Sequence, residues 1–245
     1  SFYLDSLIRN QYNIVAVCSQ PPKKKDRGMK MKNSAVHELA LLNNINVFTP
    51  SNLSDDTFKK NIEKIKPDLI IVMAYGLKLP TFILHLPSYG CINIHVSLLP
   101  RWRGAAPIEH ALLNADKKTG VTIFKLVEKM DAGPIITNES LEISNHINKD
   151  ELIKKLNVIG IKLLNSVLPN IFKKNIPYID QDQKNITYAH KITTDMRKLD
   201  FNQTMEVLHN KIRAYSKKPS AWFYYNNERI KILEADFVKG DWNNS

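Results

Sequence analysis

Continuously apolar runs alternate with helix-like segments in the first third of the chain, and this alternation limits the folds open to it. The runs from Asn13 to Ser19 and from Asp68 to Ala74 are apolar at successive positions, as in strands that are covered on both faces. Between them, Asp55 to Lys64 has the period of an amphipathic helix. This order predicts an α/β fold with a Rossmann-like, mostly parallel sheet and helices on both faces.

The polar residues that suit catalysis are concentrated in one strand-like stretch. Polar and apolar residues alternate from Ile92 to Ser97, which predicts a strand with Asn93 and His95 on the same face. An amide donor beside a titratable imidazole suits acyl transfer, although a lone Asn-x-His pair is more often two satisfied polar side chains on a half-buried strand. Because ligands bind beyond the C-terminal strand ends of such sheets, we expect the loops at Tyr75 and Ser97 to share one cleft.

The same stretch carries a recognisable motif. Asn-x-His-x-Ser-Leu-Leu-Pro at Asn93–Pro100, followed by Arg-Gly-x-x-Pro, resembles the signature of enzymes that use 10-formyltetrahydrofolate as a formyl donor. The string Arg101–Ile108 is similar to one branch of that family, the methionyl-tRNA formyltransferases. The resemblance extends from Leu4 to about Ala235, which is nearly the whole chain.

The resemblance implies a catalytic set of Asn93, His95 and Asp131. Asp131 lies in a turn, where an aspartate is otherwise an ordinary turn residue. The donor would be 10-formyltetrahydrofolate, and its site would be lined, mainly through backbone groups, by Ser97, Leu98, Leu99 and Pro100. No glycine-rich nucleotide motif suggests NAD or ATP, and the remaining histidines lack metal-ligand spacing, so we predict no metal.

The charge of the chain favours a polyanionic partner. Lysine and arginine number 35 against 24 aspartates and glutamates, a net charge of +11, although a coding bias toward lysine would give the same excess. The segment Lys23–Lys32 has no hydrophobic periodicity, and this predicts a basic, mobile loop. An ordinary solvated surface loop would explain the same composition. The resemblance implies that this loop reaches the acceptor stem of initiator methionyl-tRNA. The predicted tRNA contacts are Arg27, Lys23, Lys24, Lys25, Lys30, Arg101 and Arg103.

Three segments are predicted along the chain: a formyltransferase catalytic domain at 1–185, a polar linker at 186–200, and the start of a tRNA-binding domain at 201–245. The first would include a long helix that opens at an Asn148–Glu151 capping box and ends before Pro169. The last would contain a hairpin around Asn226-Asn227, and the resemblance implies an OB-like β-barrel, here incomplete. Members of the family begin with an earlier strand, so we expect a fragment that lacks an interior strand, or a degenerate relative.

These features predict transfer of a formyl group to the amino group of initiator methionyl-tRNA, in translation initiation. One alternative acceptor is an amino-sugar nucleotide or glycinamide ribonucleotide, and a different class of alternative is a catalytically inactive RNA-binding remnant. Cys18 and Cys91 lie in apolar runs and are predicted to be free thiols, which fits a reducing compartment. We expect a monomer without a membrane partner, in a bacterial-type cytoplasm, or in an organellar matrix if a transit peptide was removed.

Overall fold

The computed structural model describes residues 1–25 and 30–236, which form two compact units. The first unit comprises Ser1–His95, Thr122–Asn138 and Asn157–Gln181. The second comprises Val96–Val121, Glu139–Leu156 and the chain from Asp182 onward. The boundary at Asp182 lies close to the one predicted after residue 185, whereas two stretches of the predicted catalytic domain belong to the second unit.

Helices and strands alternate along much of the chain. Up to His95 they are α1 (Phe2–Arg9), β1 (Val17–Cys18), β2 (Lys23–Lys25), β3 (Lys30–Lys32), α2 (Ala35–Leu42), β4 (Val47–Phe48), α3 (Asp56–Ile65), β5 (Ile70–Val72), α4 (Thr81–His85) and β6 (Cys91–His95). After it come β7 (Arg103–Gly104), α5 (Pro107–Leu113), β8 (Lys118–Lys125), β9 (Ile135–Glu142), α6 (Lys149–Phe172), β10 (Tyr188–Ala189), α7 (Met205–Ala214), β11 (Ala221–Tyr225) and β12 (Glu228–Ile232). In the part of the chain that is described, none of the helices is both long and apolar enough to cross a bilayer.

Local side-chain chemistry sets the starts of the helices in the first unit. The Ser34 side chain accepts a hydrogen bond from the backbone of His37 (3.2 Å), which begins α2. Asp55 accepts one from the backbone of Phe58 (3.0 Å) and begins α3. Phe58 and Ile62, four residues apart on one face of α3, are then buried in a hydrophobic core cluster. The predicted start of the helix at Asp55 is confirmed.

The sheet that carries the candidate residues has four strands in the order β5-β6-β8-β9. Strand β6 runs parallel to β5 and antiparallel to β8. The α/β prediction is confirmed, and the sheet is mixed because β8 reverses direction. Among the described residues, β1 pairs only with β4, in a separate parallel pair. Strands β1 and β5 are shorter than their apolar runs because, within the described chain, each has a backbone partner on one side only.

Helix α6 corrects one prediction. Its capping box is confirmed, since Glu151 N donates to Asn148 Oδ1 (3.1 Å) and Asn148 N donates to Glu151 Oε2 (3.2 Å). However, the prediction that the helix ends before Pro169 is wrong, because α6 continues to Phe172. Proline costs the helix one backbone hydrogen bond, but Leu168 and Ile171 on either side of it are buried, and this burial offsets the loss.

The segment 186–200, predicted as a linker, is packed within the second unit. Strand β10 runs parallel to β7, and Ala105 N donates to Ala189 O (2.8 Å). Gly104 makes this contact possible: its φ is +119°, and a Cβ there would lie 2.7 Å from Ala189 O. Beyond it, β11 and β12 form the predicted hairpin, with Asn226 and Asn227 both at positive φ in the turn. In the segment predicted to begin a barrel, the described residues form this two-stranded sheet.

Candidate active site

Asn93 and His95 lie on β6, which pairs with β5 on one side and with β8 on the other. Asn93 is paired with Val72 on one side and Phe124 on the other, and His95 is paired with Thr122. Being two residues apart on a strand, the two side chains project to the same face, as predicted. The β6 backbone is paired on both sides at Asn93 and on the β8 side at His95, so the sheet sets the position of both side chains.

The imidazole of His95 is buried and contacts an aromatic ring. The side chain of His95 is only 6% exposed, and its ring meets the ring of Phe124 edge to face, with centroids 6.4 Å apart and an interplanar angle of 86°. An edge-to-face contact restricts the rotation of the imidazole about its side-chain bonds. The ring therefore presents its nitrogens in a restricted set of directions.

Asp131 approaches His95 from the turn between β8 and β9. Its Oδ2 lies 3.9 Å from His95 Nδ1, and its side chain is 12% exposed. This separation is longer than a direct hydrogen bond but short enough for electrostatic attraction. The carboxylate therefore stabilises a positive charge on the imidazole, in a site largely closed to solvent.

The backbone of this turn adopts an uncommon conformation. Asp131 has φ +48°, in the left-handed region that aspartate tolerates better than most residues. Two positions later, a Cβ on Gly133 would lie 1.7 Å from Lys125 O, so only glycine fits there. The turn closes with a hydrogen bond from Lys125 N to Pro134 O (3.0 Å). The Asp-x-Gly spacing is therefore required by the geometry of the turn.

The side-chain amide of Asn93 makes no hydrogen bond to any other described residue, and the residue is half-buried. A partly exposed amide without a protein partner has both N–H groups available to a bound molecule. The three residues predicted as catalytic thus lie in one unit and supply an amide donor, an imidazole and a carboxylate.

Sequence reasoning missed Gln181, which contacts the same turn. Its Nε2 donates to Asp131 O (2.9 Å) and to Gly133 O (2.7 Å), and the residue is 5% exposed. Gln181 lies in a polar stretch, Asp180-Gln181-Asp182-Gln183, without hydrophobic periodicity. Nothing in that local pattern indicates a buried side chain.

The residues predicted to line the folate site lie in the second unit, directly after His95 in the chain. Ser97 is buried and its Oγ donates to Arg101 O (2.6 Å), and Leu99 is buried as well. Leu98 and Pro100 are partly exposed. The Ser97 hydroxyl proton is therefore engaged within the turn. A role in folate binding, like the cleft expected between Tyr75 and Ser97, stays a prediction.

Two cavities in the first unit lie apart from the three candidate residues. The larger, about 580 Å³, opens at Gly90 beside the start of β6, the opposite end of the strand from His95. The smaller, about 260 Å³, lies at the C-terminal ends of β1 and β5 and is lined by Ser19, Gln20 and Tyr75. Neither is lined by Asn93, His95 or Asp131, so we do not assign the chemistry to them. Within residues 1–25 and 30–236, no group of three or more His, Cys, Asp or Glu side chains is placed to hold a metal ion.

The basic segment is more regular than predicted. Strands β2 and β3 pair as an antiparallel hairpin, with Lys23 opposite Lys32, Lys24 opposite Met31 and Lys25 opposite Lys30. The prediction of a loop without regular structure is therefore wrong for these residues, because backbone pairing does not require hydrophobic periodicity. Lys23 is exposed, and its Nζ donates to Gln20 Oε1 (2.6 Å). The predicted contact Arg27 lies outside the described residues.

The two arginines predicted to contact tRNA have different surroundings. Arg101 is partly exposed, and it binds both carboxylate oxygens of Asp116, at 2.9 and 2.6 Å. This hydrogen bonding raises the pKa of the Arg101 guanidinium above its usual range. Arg103, in contrast, is fully buried (0% exposed). The prediction that Arg103 contacts tRNA is wrong, because its side chain lies inside the second unit.

Comparison with protein families gives a match over most of the chain. The family described as "Formyl transferase" matches residues 2–168, and "Formyl transferase, C-terminal domain" matches residues 191–245. The methionyl-tRNA formyltransferase of Ehrlichia canis (strain Jake) is 43% identical over 236 residues, which cover 96% of this chain and 76% of the relative. That of Bartonella quintana (strain Toulouse) is 41% identical over 242 residues, covering 97% and 78%.

Solved structures share the fold at much lower sequence identity. WlaRD, a sugar 3N-formyl transferase solved in the presence of dTDP and 5-N-formyl-THF, superimposes with a TM-score of 0.69 at 21% identity. The match covers 94% of this chain and 80% of that protein. At this identity the likeness supports the fold alone.

Proposed function

The chain belongs to the formyl transferase family, and on this premise we propose that it transfers a formyl group from 10-formyltetrahydrofolate to the amino group of initiator methionyl-tRNA. The observation that carries the proposal is the placement of Asn93, His95 and Asp131 in one unit, with the imidazole 3.9 Å from the carboxylate. An amide donor, a titratable base and a charge partner are the groups that acyl transfer to an amine requires.

Asn93 is proposed to stabilise the oxygen of the formyl group. 10-Formyltetrahydrofolate supplies the formyl carbon, and attack by the amine places negative charge on its oxygen. Because the amide of Asn93 makes no hydrogen bond to another described residue, it can donate to that charge without first breaking such a bond. Removing one such donor costs about 3–4 kcal/mol of transition-state stabilisation in comparable sites.

His95 is proposed to move the proton that the reaction displaces. The new bond joins the amino nitrogen to the formyl carbon, and the bond from that carbon to the folate nitrogen breaks. His95 accepts the proton that the amino nitrogen loses and returns it to the leaving nitrogen, so that protons balance. Asp131 stabilises the ring while it carries the charge, and the low exposure of both side chains strengthens that interaction.

The choice of methionyl-tRNA as acceptor is supported by the relatives of that name, which are about 40% identical over nearly the whole chain. The net charge of +11 and the lysine hairpin β2–β3 fit a phosphate-rich partner.

The folate contact is proposed for Ser97–Pro100, and RNA contact for the hairpin lysines, Arg27 and Arg101. We further propose that the protein acts as a monomer, in a bacterial-type cytoplasm or an organellar matrix.

A transfer assay with three acceptors tests the proposal. The purified chain is given 10-formyltetrahydrofolate and, in parallel, methionyl-tRNA, an amino-sugar nucleotide or glycinamide ribonucleotide. We expect formyl-methionyl-tRNA to form with a kcat/KM at least 100-fold above that for either small acceptor. Preference for a small acceptor would overturn the choice of tRNA. RNA binding without transfer to any acceptor would instead support an inactive remnant.

A further inference from the structure

We infer that Gln181 is a positioning residue for the candidate catalytic carboxylate: its side-chain amide holds the turn that presents Asp131 to His95. The inference rests on the proposed formyl transfer, and it gives a role to a residue outside the three that perform the chemistry. Gln181, Asp131 and His95 all belong to the first unit.

The hydrogen bonds of Gln181 are specific to an amide. Its nitrogen lies 2.9 Å from Asp131 O and 2.7 Å from Gly133 O, and both partners are carbonyl oxygens, which can only accept. The side chain must therefore face the turn with its NH₂ group, because the opposite orientation would bring oxygen against oxygen. Both N–H groups are used, one on each side of Ala132, so the amide bridges the turn that it contacts.

The turn needs such support because its backbone is not in a low-energy conformation. Asp131 has φ +48°, which costs a residue with a side chain roughly 1–2 kcal/mol relative to the right-handed region. From the other side, the close approach of Gly133 to Lys125 O sets the distance between the turn and β8. Gln181 and Lys125 thus hold the turn from two directions, and the position of Asp131 depends on both.

The backbone next to Gln181 is itself held in place. Ile135 N donates to Ile179 O (2.7 Å), and Ile179 N donates to Ile135 O (2.9 Å). This pair of bonds places the segment just before Gln181 beside the start of β9. The backbone from which the Gln181 side chain extends is therefore held in place. The burial of the amide limits competition from water for its hydrogen bonds.

Two substitutions separate the hydrogen bonds from the volume of the side chain. Gln181→Leu keeps a similar volume and removes both donors, and Gln181→Glu keeps the shape but replaces the NH₂ group with an oxygen. We expect kcat to fall about 10- to 100-fold in both, because a catalytic group displaced by about 1 Å loses a comparable factor. The KM values for the two substrates should stay within twofold. Gln203→Leu, at an exposed glutamine, is the matched control and should behave as wild type.

A double substitution tests whether Gln181 acts through Asp131. If it does, adding Gln181→Leu to an Asp131→Asn chain should lower kcat by less than threefold further, because the carboxylate being positioned is already gone. Multiplicative losses would show an independent, merely structural role and would overturn the inference. If Gln181→Leu does not fold by circular dichroism, Gln181→Asn, which keeps the donors on a shorter side chain, takes its place in the same cycle.

The outcomes separate this inference from the proposed function. A wild-type chain that transfers no formyl group overturns the proposed function, and the inference with it. An active wild-type chain with Gln181→Leu equal to Gln203→Leu in kcat overturns the inference alone. Reduced kcat, unchanged KM and a non-multiplicative cycle with Asp131→Asn together support it.

Discussion

The proposed catalytic residues and the lysine hairpin β2–β3 belong to the same unit but are supported in different ways. Asn93 and His95 lie on β6, whose backbone pairs with a strand on each side. Strands β2 and β3 pair only with each other among the described residues. A strand bonded on both sides keeps its side chains in place, whereas an isolated hairpin is marginal in water and moves more easily.

This difference matches the different demands of chemistry and charge recognition. Catalytic groups lose orders of magnitude in rate when they move by about 1 Å. Attraction between lysines and phosphates falls off gradually with distance, so it tolerates displacement. Single substitutions at the proposed catalytic residues should therefore lower turnover by orders of magnitude, and those on the hairpin should weaken binding by degrees.

The largest expected effects are at the proposed catalytic residues. Asn93→Ala removes an amide that makes no hydrogen bond to another described residue and is proposed to stabilise the formyl oxygen, and kcat should fall about 100- to 1,000-fold. Binding of methionyl-tRNA, measured by filter retention, should change by less than twofold. Asn114→Ala serves as the control, because it makes the same substitution at an exposed asparagine that follows α5. An Asn93→Ala chain with wild-type kcat would contradict the assignment of this amide.

A graded effect is expected on the hairpin. Replacing exposed Lys23 and Lys32 together with Gln should raise the KM for tRNA several-fold while kcat stays within twofold. The plot of log affinity against log salt concentration should become shallower by about one unit for each lysine–phosphate pair that the substitutions remove. Lys59→Gln with Lys60→Gln, at two exposed lysines on α3, removes equal charge elsewhere. An equal change in the salt slope for both pairs would mean that the hairpin has no specific role.

A smaller effect, on stability alone, is expected where α1 meets α6 in the first unit. Gly160→Ala would place a Cβ 2.1 Å from Tyr3 Oη, and overpacking of this kind costs about 1–3 kcal/mol. That cost outweighs the roughly 1 kcal/mol that alanine gains over glycine in a helix. Urea unfolding should show a lower midpoint for Gly160→Ala, with kcat unchanged at a temperature where the variant stays folded.

Tyr3→Phe provides the partner variant for that contact. The Tyr3 hydroxyl is buried and makes no hydrogen bond within the described residues, so its removal should cost little. In the double variant the destabilisation by Gly160→Ala should be partly relieved, because the nearest clashing atom is gone. Additive effects of the two substitutions would show that these side chains do not meet.

The smallest effect concerns the two thiols. Burial raises the pKa of Cys18 to about 11 and that of Cys91 to about 12, where Lys125 opposes the increase. Both stay protonated at pH 8, so iodoacetamide followed by mass spectrometry should find both largely unmodified until the chain is unfolded. Because the unfolded thiols ionise first, their contribution to stability should be lost as the pH rises from about 9 towards 12. Rapid alkylation of Cys91 in the folded chain would show that β6, which it begins, is not held as described.

Features set by neighbouring residues were predictable from the sequence, and features set by distant ones were not. Ser34 and Asp55 bond to backbone groups three residues away, so their helix starts could be predicted. The alternation around His95 predicted the shared face for the same reason. Helix α6 passes through Pro169 because of apolar burial that local sequence does not reveal.

In the candidate site too, residues close together in the sequence were predictable and distant ones were not. Asn93 and His95 are close in sequence, whereas Asp131 could be assigned only from the resemblance to a family. Gln181 is separated from the turn it contacts by 48 to 50 positions, and no local pattern indicates its burial. Arg103 was misassigned because a charged residue predicts exposure, and only the packed structure shows it buried.

His95, on a strand that pairs with a neighbour on each side, is proposed to move the proton during formyl transfer. A rapid-quench measurement of a single turnover, with methionyl-tRNA and 10-formyltetrahydrofolate bound at saturation, isolates that step from binding. We predict that His95→Ala lowers the single-turnover rate by about 100- to 10,000-fold while tRNA affinity stays within twofold of wild type. A His95→Ala chain that transfers the formyl group at the wild-type rate would contradict the account.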